Sequence, residues 1–335
     1  MPFGIILLLL IISEAVCFTP YARVGQTQAL VGTKLFYAGG YTGLTQAYSN
    51  ELFYLNLSSS FQASNPPWVS LTNANIPISP TYSTFVVSPF DNFTIYLIGG
   101  YLVNPSTNTP DNNTLIYAFN SNVTEWTMPT ISGSSPKRQE MEGVVDNTGK
   151  VYIFGGSVIT NYTTRKGIFF NDMNILDMGT NIWSTIQPTS NFPNPRIDYT
   201  AILLDNNIIV YIGGREYAND INQTEILVDL HQIQLFDTKN SNWSSMTATG
   251  VNLQARRFHT AVLAKNGQII IYGGENINFT PVTPNLAILN TSVTPYNWYI
   301  PTINAGPYDP PLLAEHSATM YEDLMIIAFG IFYEL

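Results

Sequence analysis

The feature that most constrains the fold of this chain is a short apolar run that ends in a glycine pair and recurs along the sequence. Five such runs end at Gly39-Gly40, Gly99-Gly100, Gly155-Gly156, Gly213-Gly214 and Gly273-Gly274. A degenerate sixth run ends at Gly330. The first glycines of the five pairs and Gly330 are 60, 56, 58, 60 and 57 residues apart. Spacing this regular indicates a repeat architecture.

Each complete repeat contains four short runs that are typical of β-strands. One run precedes the glycine-ended run, another follows it, and the last holds a tryptophan 24–29 residues after the glycines. The tryptophans that keep this period are Trp68, Trp126, Trp183, Trp243 and Trp298. Four strands in each unit of about 58 residues, repeated radially, predict an all-β β-propeller with almost no helix. Stacked blades cover one another's apolar faces, and we expect a tryptophan between neighbouring sheets.

These features resemble the kelch-repeat family over residues 21–332. The glycine pair, a strand that ends in Asp and the later tryptophan are the family's marks. Two repeats also open with an Arg-x-x-His/Tyr pattern, at Arg196–Tyr199 and Arg256–His259. The resemblance implies a kelch-type β-propeller with six repeat units. The units are predicted near residues 21–75, 76–135, 136–192, 193–250, 251–308 and 309–335, the last of them partial.

The sixth unit is incomplete in this sequence. Its first strand is predicted near His316–Met320 and its second near Leu324–Gly330, and no tryptophan strand follows. We therefore expect that the ring does not close. Two interpretations stay open: the chain is a truncated form of a longer protein, or the last blade is a half sheet that Phe18–Val24 patches.

The N-terminus is typical of a secretory signal peptide, residues 1–17. An apolar run, Ile5–Ile12, is too short to span a bilayer, and Ala15 and Cys17 suit a signal-peptidase site. No Lys or Arg precedes the run, so a buried first strand is the alternative. Because Cys17 is the only cysteine, the mature chain would have no disulfide, no cysteine nucleophile and no Cys-ligated zinc.

Nine Asn-x-Ser/Thr sequons agree with passage through the secretory pathway. They lie at Asn56, Asn92, Asn112, Asn122, Asn161, Asn222, Asn242, Asn278 and Asn290. All except Asn92 fall between a glycine pair and its tryptophan, which is the outer half of a blade. We therefore expect glycans around the rim of the propeller and a largely bare channel.

The charge of the chain disfavours two classes of partner. With 13 Lys+Arg and 23 Asp+Glu the net charge is -10, whereas nucleic acids and anionic membrane surfaces need a basic footprint. The sequence therefore predicts no nucleic-acid partner. A membrane association is expected only if an anchor lies beyond residue 335.

The histidines and arginines offer candidate ligand-binding residues. His259 and His316 occupy equivalent positions in the first strands of neighbouring units, so we expect them to approach each other near the pore. They would hold a metal or polar ligand, or form ordinary hydrogen bonds between blades. His231 is expected in an outer strand, away from the axis.

Four arginines stand just before innermost strands. Arg138, Arg196, Arg256 and Arg257 are expected around one channel mouth, where guanidinium groups would favour a carboxylate, a phosphate or an acidic loop. Arg23 lies near the same register in the first unit. The alternative is that these arginines bond backbone carbonyls between blades.

Two functions follow from these features. The first is a secreted or cell-surface interaction module, not an enzyme and without a cofactor, that binds a protein or glycan through the long loops after the glycine pairs. The second is a carbohydrate-active or oxidase-like enzyme, because kelch propellers resemble the catalytic domain of galactose oxidase. That class needs copper and a Tyr cross-linked to Cys, which a mature chain without Cys cannot form.

Overall fold

The computed structural model describes residues 18–111, 116–134, 137–161, 166–187, 192–218, 224–303 and 310–334. The predicted signal peptide, residues 1–17, therefore lies outside the described residues. The sequon residues Asn112 and Asn222 also lie outside them, and the side chain of Asn161 is not described.

Antiparallel sheets follow one another along the chain, and we number these blades one to six. Their strands combine β-branched and aromatic residues with an alternation of buried and partly exposed side chains, as in Leu52–Asn56. The first three blades comprise Thr27–Val31, Lys34–Ala38, Leu52–Asn56 and Trp68–Ser70; Thr84–Val87, Thr94–Ile98, Ile116–Asn120 and Glu125–Thr127; and Gly143–Val145, Lys150–Phe154, Met173–Asp177 and Ile182–Ile186.

The remaining blades repeat this order from an inner to an outer strand. They comprise Thr200–Leu203, Ile208–Ile212, Gln232–Asp237 and Asn242–Thr247; Thr260–Leu263, Ile269–Tyr272, Leu286–Asn290 and Asn297–Tyr299; and, in blade six, Ser317–Tyr321 and Leu324–Ala328. A short strand, Thr249–Gly250, pairs in parallel with the outer strand of blade five. Apart from one 3₁₀ turn, Thr72–Ala74, the described residues contain no helix, and none of them forms a helix able to cross a membrane.

A second set of short sheets distinguishes the two faces of the propeller. Each contains residues just after a glycine pair. In blades one, two, four and six these pair with residues just before the inner strand of the same blade, and in blade three Gln139 forms a single bridge to Ser157. These sheets comprise Arg23–Val24, Tyr41–Thr42 and Ala47–Tyr48; Ser79–Thr81, Tyr101–Asn104 and Thr109–Pro110; Ser157–Asn161 and Lys166–Phe169; Arg196–Ile197, Arg215–Tyr217 and Glu225–Leu227; and Leu312–Ala314 and Ile331–Tyr333. We call the side that bears them the hairpin face and the opposite side, with the tighter strand connections, the turn face.

The glycine pairs join each blade to the next. The second glycine donates its N–H to a backbone carbonyl of the following blade, a few residues before the inner strand of that blade. The bonds are Gly40 to Pro80 (2.8 Å), Gly100 to Arg138 (2.8 Å), Gly156 to Arg196 (3.0 Å), Gly214 to Arg256 (2.9 Å), Gly274 to Leu313 (2.8 Å) and Gly330 to Arg23 (3.0 Å). At the first glycine a Cβ would stand 2.2 Å from the Pro80 oxygen, so Gly39 has no room for a side chain.

The bond from Gly330 to Arg23 shows that the ring closes, contrary to the expectation of an open ring. Gln28 Nε2 also donates to the Ala318 carbonyl (2.5 Å), across the boundary between blades one and six. Closure takes place at the inner strands, where the sixth unit is complete. The segment Phe18–Val24 adds no strand to blade six; Arg23–Val24 pairs instead within the hairpin face of blade one.

Blade six keeps only its inner half within residues 310–334, as the sequence predicted. Gly330 takes the place of a second glycine, and Phe329 stands where the other repeats have the first one. The Phe329 ring packs against Tyr37, Phe53 and Trp68 of blade one, with ring centroids 5.2, 5.9 and 5.6 Å away. This aromatic cluster covers apolar side chains of blade one, part of the contact that a complete four-stranded blade makes at the other blade boundaries.

The tryptophans pack against the preceding blade, as predicted. The indole N–H of Trp298 in blade five donates to the Leu230 carbonyl (2.9 Å), and that of Trp126 donates to the Ala74 carbonyl (2.8 Å). Trp243 of blade four lies 4.7 Å from the ring of Phe154 in blade three. The core therefore consists of apolar layers between blades rather than a single central cluster.

Candidate functional site

One residue from each blade turns toward the propeller axis at the hairpin face. These six residues, which we call the mouth ring, are Gly25, Tyr82, Glu140, Asp198, Phe258 and Glu315. All six have left-handed backbone, with φ between 53° and 63°. For the five that are not glycine this conformation is costly, so the surrounding structure must hold it in place.

Backbone hydrogen bonds between neighbouring blades hold the mouth ring. Each ring residue after Gly25 donates its N–H to the carbonyl of the ring residue before it: Tyr82 to Gly25 (2.8 Å), Glu140 to Tyr82 (3.2 Å), Asp198 to Glu140 (3.1 Å), Phe258 to Asp198 (3.4 Å) and Glu315 to Phe258 (3.0 Å). The left-handed turns aim these N–H groups around the axis. The ring is therefore a rigid platform that carries different side chains in each blade.

A cavity of about 160 Å³ lies on the axis beneath this platform. Its lining is the mouth ring, Glu142 and the residue that follows each ring position, namely Gln26, Ser83, Met141, Tyr199, His259 and His316. All six blades thus contribute two consecutive residues. The cavity is far larger than the ~10–15 Å³ that one water molecule needs.

Acidic groups dominate the polar lining of this cavity. Asp198 Oδ2 accepts a hydrogen bond from Arg215 Nε (2.6 Å), and Arg215 Nη2 lies 3.8 Å from Glu140 Oε1. Glu315 accepts a hydrogen bond from the Tyr82 hydroxyl (2.7 Å). The Tyr82 ring in turn stacks on Phe258 from the opposite side of the mouth ring, with centroids 6.0 Å apart.

Burial changes the acidity of these carboxyl groups. It raises the pKa of Glu142 to about 7, although the Ala201 N–H that Glu142 accepts (2.8 Å) opposes the shift. It also raises the pKa of Glu315 to about 6. The pKa of Asp198 is raised by burial despite its bond to Arg215. A cation placed in the cavity would lower all three values, because it stabilises the ionised form.

His259 and His316 both line the cavity, where the sequence placed them. His259 Nε2 is hydrogen bonded to Thr200 Oγ1 (3.1 Å) and His316 Nε2 to Thr260 Oγ1 (2.7 Å), in each case across a blade boundary. Burial lowers the pKa of His259 to about 3 and of His316 to about 4, so both are neutral at pH 7. These are the inter-blade bonds of the alternative interpretation, but each Nδ1 is buried and has no hydrogen-bond partner in the part of the chain that the structure describes.

The arginines at the repeat position form a buried layer rather than a lining of the mouth. The arginine layer comprises Arg23, Arg138, Arg196 and Arg256, each at most 3% exposed and none in contact with the axial cavity. Three of them donate Nη1 to the carbonyl of a first glycine: Arg23 to Gly39 (3.0 Å), Arg138 to Gly155 (2.6 Å) and Arg256 to Gly273 (2.9 Å).

This placement differs from the expected one, because the residue two positions later turns toward the axis and leaves the arginine between blades. The contacts match the alternative in part: three of the arginines bond backbone carbonyls, but each of these carbonyls belongs to the arginine's own blade rather than to a neighbouring blade. Arg257 is also buried, and its Nη2 pairs with Glu275 Oε1 (2.8 Å). Ligand binding by these arginines stays a prediction.

Arg196 departs from the other members of the arginine layer. Its Nη2 lies 3.4 Å from Glu216 Oε2, while its buried Nε and Nη1 have no hydrogen-bond partner among the described residues. It lines a second cavity, of about 760 Å³, beside the outer strands of blade four. His231 lies at the start of the third strand of that blade, away from the axis as predicted, with its Nδ1 3.1 Å from Asp229 Oδ1.

Sequence reasoning missed Tyr82, Glu140, Asp198, Phe258 and Glu315 as residues of the mouth. A signal was present, because each lies 57–60 residues from the next and two positions after the repeat arginine or its equivalent. The chemical types differ from blade to blade, and a search for a recurring residue type therefore passes over them.

The sequon asparagines of the described residues lie away from the axial cavity. Asn56 and Asn290 end third strands, Asn242 begins an outer strand and Asn122 lies between two such strands, all at the turn face. Asn92 lies in a turn of the same face and Asn278 in a loop of the hairpin face. Asn92, Asn122, Asn242 and Asn278 are exposed, and the other two are partly exposed. Occupancy of these sites by glycans stays a prediction.

Comparison with known proteins gives a consistent assignment. The family model described as the KLHDC2/KLHL20/DRC7 kelch-repeats domain matches residues 25–235. The chain is 26% identical over 262 residues to kelch domain-containing protein 3 of Rattus norvegicus and of Homo sapiens, which covers 76% of this chain and 64% of each relative.

Two further relatives are similar over different lengths. The acyl-CoA-binding domain-containing protein 5 of Arabidopsis thaliana is 26% identical over 319 residues, which covers 93% of this chain and 44% of that protein. The host cell factor homolog hcf-1 of Caenorhabditis elegans is 29% identical over 173 residues, or 48% of this chain and 21% of that protein. The match thus covers less than two thirds of each of these relatives.

Proposed function

Because the chain belongs to the kelch-repeat family, we propose that it is a secreted or cell-surface interaction module that binds a protein or a glycan through its hairpin face. The observation that carries this proposal is the axial cavity of the hairpin face, which all six blades line. It holds several buried polar atoms that have no partner among the residues the structure describes. Buried polar groups are normally hydrogen bonded, so such a cluster marks a place where a ligand group adds bonds.

The hairpins around the cavity add apolar contact surface. Leu44 in blade one and Phe279 in blade five are 77% and 67% exposed, and both belong to connections that follow a glycine pair. Exposed aromatic and aliphatic side chains on a rigid scaffold provide the anchors on which interfaces depend. In this proposal the cavity receives one group of the ligand and the hairpins contact its surroundings.

The extracellular part of the proposal is supported by the sequence. The apolar run Ile5–Ile12 followed by Ala15 and Cys17 is typical of a signal peptide, and the nine sequons suit a glycoprotein. We infer that glycans occupy the rim and the turn face and leave the axial cavity free. In this proposal the chain binds its ligand without catalysis; the oxidase-like alternative predicts copper in the purified protein.

Screening of secreted protein tests the function. The chain would be expressed with residues 1–17 in a secreting eukaryotic host, and the medium protein screened against arrays of glycans and of extracellular proteins. For any ligand found, Phe279→Ala should weaken binding about five- to tenfold, because truncation of an interface anchor costs more than about 1 kcal/mol. Glycan binding without protein binding would assign the ligand to carbohydrate.

A matched control lies in the same blade. Val293 is 43% exposed at the turn face, so Val293→Ala should leave the affinity unchanged. Equal loss of binding in both variants, or loss only in Val293→Ala, would contradict the assignment of the hairpin face. Retention of the chain inside the cell without N-glycans would contradict the extracellular assignment.

A further inference from the structure

The axial cavity has a specific pattern of unsatisfied hydrogen-bonding groups. Five buried atoms of its lining residues have no partner among the described residues: Gln26 Oε1, Ser83 Oγ, Asp198 Oδ1, His259 Nδ1 and His316 Nδ1. His259 and His316 are only 4% and 6% exposed. All five atoms are able to accept a hydrogen bond, and Gln26 Oε1 can only accept. A ligand group that donates hydrogen bonds would therefore suit all five atoms.

The charge around the cavity is mostly negative, which favours a positively charged hydrogen-bond donor. Four carboxyl groups line it, those of Glu140, Glu142, Asp198 and Glu315, and no Lys or Arg does. Two cations act on these carboxyl groups: Arg215, which is also shared with Glu225, and Arg257, which pairs with Glu275. Acidic groups thus outnumber the positive charge that the protein itself supplies, and a cationic ligand would be attracted.

The size of the cavity limits what enters it. A volume of about 160 Å³ is smaller than the 300–1,000 Å³ of sites that enclose whole drug-sized ligands, so only a head group fits. An ammonium group is compact and carries three donors, whereas guanidinium is a wide planar fork. The stacked rings of Tyr82 and Phe258 present aromatic surface that also favours a cation. Among the described residues no three His, Cys, Asp or Glu side chains are grouped closely enough to hold a metal ion.

We propose that the axial cavity binds an ammonium head group, supplied by a small primary amine or by a lysine side chain of the hairpin-face ligand. The lysine source rests on the function proposed above, whereas the small-amine source does not. In the bound state the ammonium donates to the unpartnered acceptors and its charge is balanced by Glu140, Asp198 and Glu315. The mouth ring then acts as a rigid collar around the alkyl part of the ligand.

Titration calorimetry on the full chain tests this site with two cationic probes. Propylammonium chloride represents a free amine, and the peptide acetyl-Gly-Gly-Lys-Gly-Gly-amide represents a lysine. Both should bind, whereas 1-propanol, sodium propionate and the norleucine analogue of the peptide should not. Binding of propylammonium alone identifies a free amine as the ligand class, and tighter binding of the peptide identifies a lysine side chain.

Variants connect binding to the cavity. Glu315→Gln keeps an acceptor for the Tyr82 hydroxyl but removes one charge, so it should weaken cation binding about tenfold. Glu125→Gln makes the same charge change on the exposed outer strand of blade two and should leave binding unchanged. If circular dichroism shows that Glu315→Gln is unfolded, Glu140→Gln takes its place with the same expectation.

Two results would overturn the proposal. One is that neither cation binds more strongly than its uncharged analogue. The other is binding that responds equally to Glu315→Gln and Glu125→Gln, which would reflect the net negative charge of the chain alone. If the array ligand binds through Phe279 but either of these results is obtained, the proposed function stands and the ammonium site is wrong.

Discussion

Each member of the arginine layer stands two residues before a member of the mouth ring, and the two sets differ in chemistry and in surroundings. The arginine layer repeats one residue type in four blades, lies between the sheets and, in three of those blades, donates to a glycine carbonyl. The mouth ring combines glycine, aromatic and acidic residues and faces a cavity on the axis.

The difference teaches where function lies in a repeat protein. Each blade repeats the same backbone path, which needs the same bond from one blade to the next, so a residue that recurs at one position is expected to be structural. Recognition of a ligand without sixfold symmetry needs different side chains at equivalent positions, and the mouth ring supplies them. The following predictions test this distinction, from the largest expected effect to the smallest.

Substitution in the arginine layer should cost stability rather than binding. Arg256 donates Nη1 to the Gly273 carbonyl (2.9 Å) and Nη2 to the Pro284 carbonyl (2.9 Å). Arg256→Gln loses charged hydrogen bonds and leaves buried carbonyls unpaired, which should lower the free energy of unfolding by about 3 kcal/mol. Urea unfolding measures this change. If Arg256→Gln leaves the stability unchanged and abolishes binding of an acidic ligand, the arginines bind ligand and are not structural.

Removal of a buried carboxyl group near the mouth should change the pH dependence of stability. The folded state raises the pKa of Glu142 from 4.5 to about 7, so it holds a proton that the unfolded chain has already released between these values. The stability contributed by this group is therefore present below pH 4.5 and is lost as the pH rises through 7.

Glu142→Gln removes that loss. Relative to the unsubstituted chain, its free energy of unfolding should gain about 2 kcal/mol between pH 5 and pH 8, less than the full shift implies because Glu142 is only partly buried. Chemical unfolding at the two pH values measures the gain. Arg256→Gln should show no such change, because an arginine stays ionised throughout. Equal pH profiles for the unsubstituted chain and Glu142→Gln would contradict the buried, protonated state.

The affinity for propylammonium should rise at least about fourfold from pH 5.5 to pH 7.5, because the cation binds the ionised form of a carboxyl group. Burial raises the pKa of Glu315 to about 6, so its carboxyl group becomes an anion within this interval. The charged or titratable groups around it are Tyr82, Glu140, Glu142, Asp198, Arg215, Arg257, Glu275, His259 and His316. The lowered pKa values of His259 and His316, about 3 and 4, keep both imidazoles neutral over the interval. Calorimetry across this range checks the rise. Glu315→Gln should reduce it, and the rise that remains is expected from Glu142, whose pKa of about 7 lies in the same interval.

The smallest effect is expected for Arg196→Gln, which is the matched control for Arg256→Gln. Arg196 lacks the bond to a glycine carbonyl, and its Nε and Nη1 have no partner among the described residues. Its loss should therefore cost less than about 1 kcal/mol, because few hydrogen bonds are removed. Equal destabilisation by the two substitutions would show that burial of the charge, rather than its bonds, sets the contribution of the arginine layer.

Much of the fold could be predicted from the sequence because blade formation is local. The glycine pairs, the strand runs and the tryptophans all lie within one repeat, and they predicted the strands of blades one to five and the inner half of blade six. The closure of the ring could not be predicted in this way. It depends on bonds between residues about 300 positions apart, from Gly330 to Arg23 and from Gln28 to Ala318.

The sequence by itself determined the repeat, the all-β class and the positions at which arginine, histidine and glycine recur. Only the tertiary structure decided which of these positions reaches the axis. Arg196 and Asp198 are two residues apart, yet the left-handed turn at Asp198 points one residue into the cavity and leaves the other between blades. Whether a side chain faces the cavity or lies between blades depends on its backbone φ and on the packing of the next blade. The residue type at a single position determines neither of these.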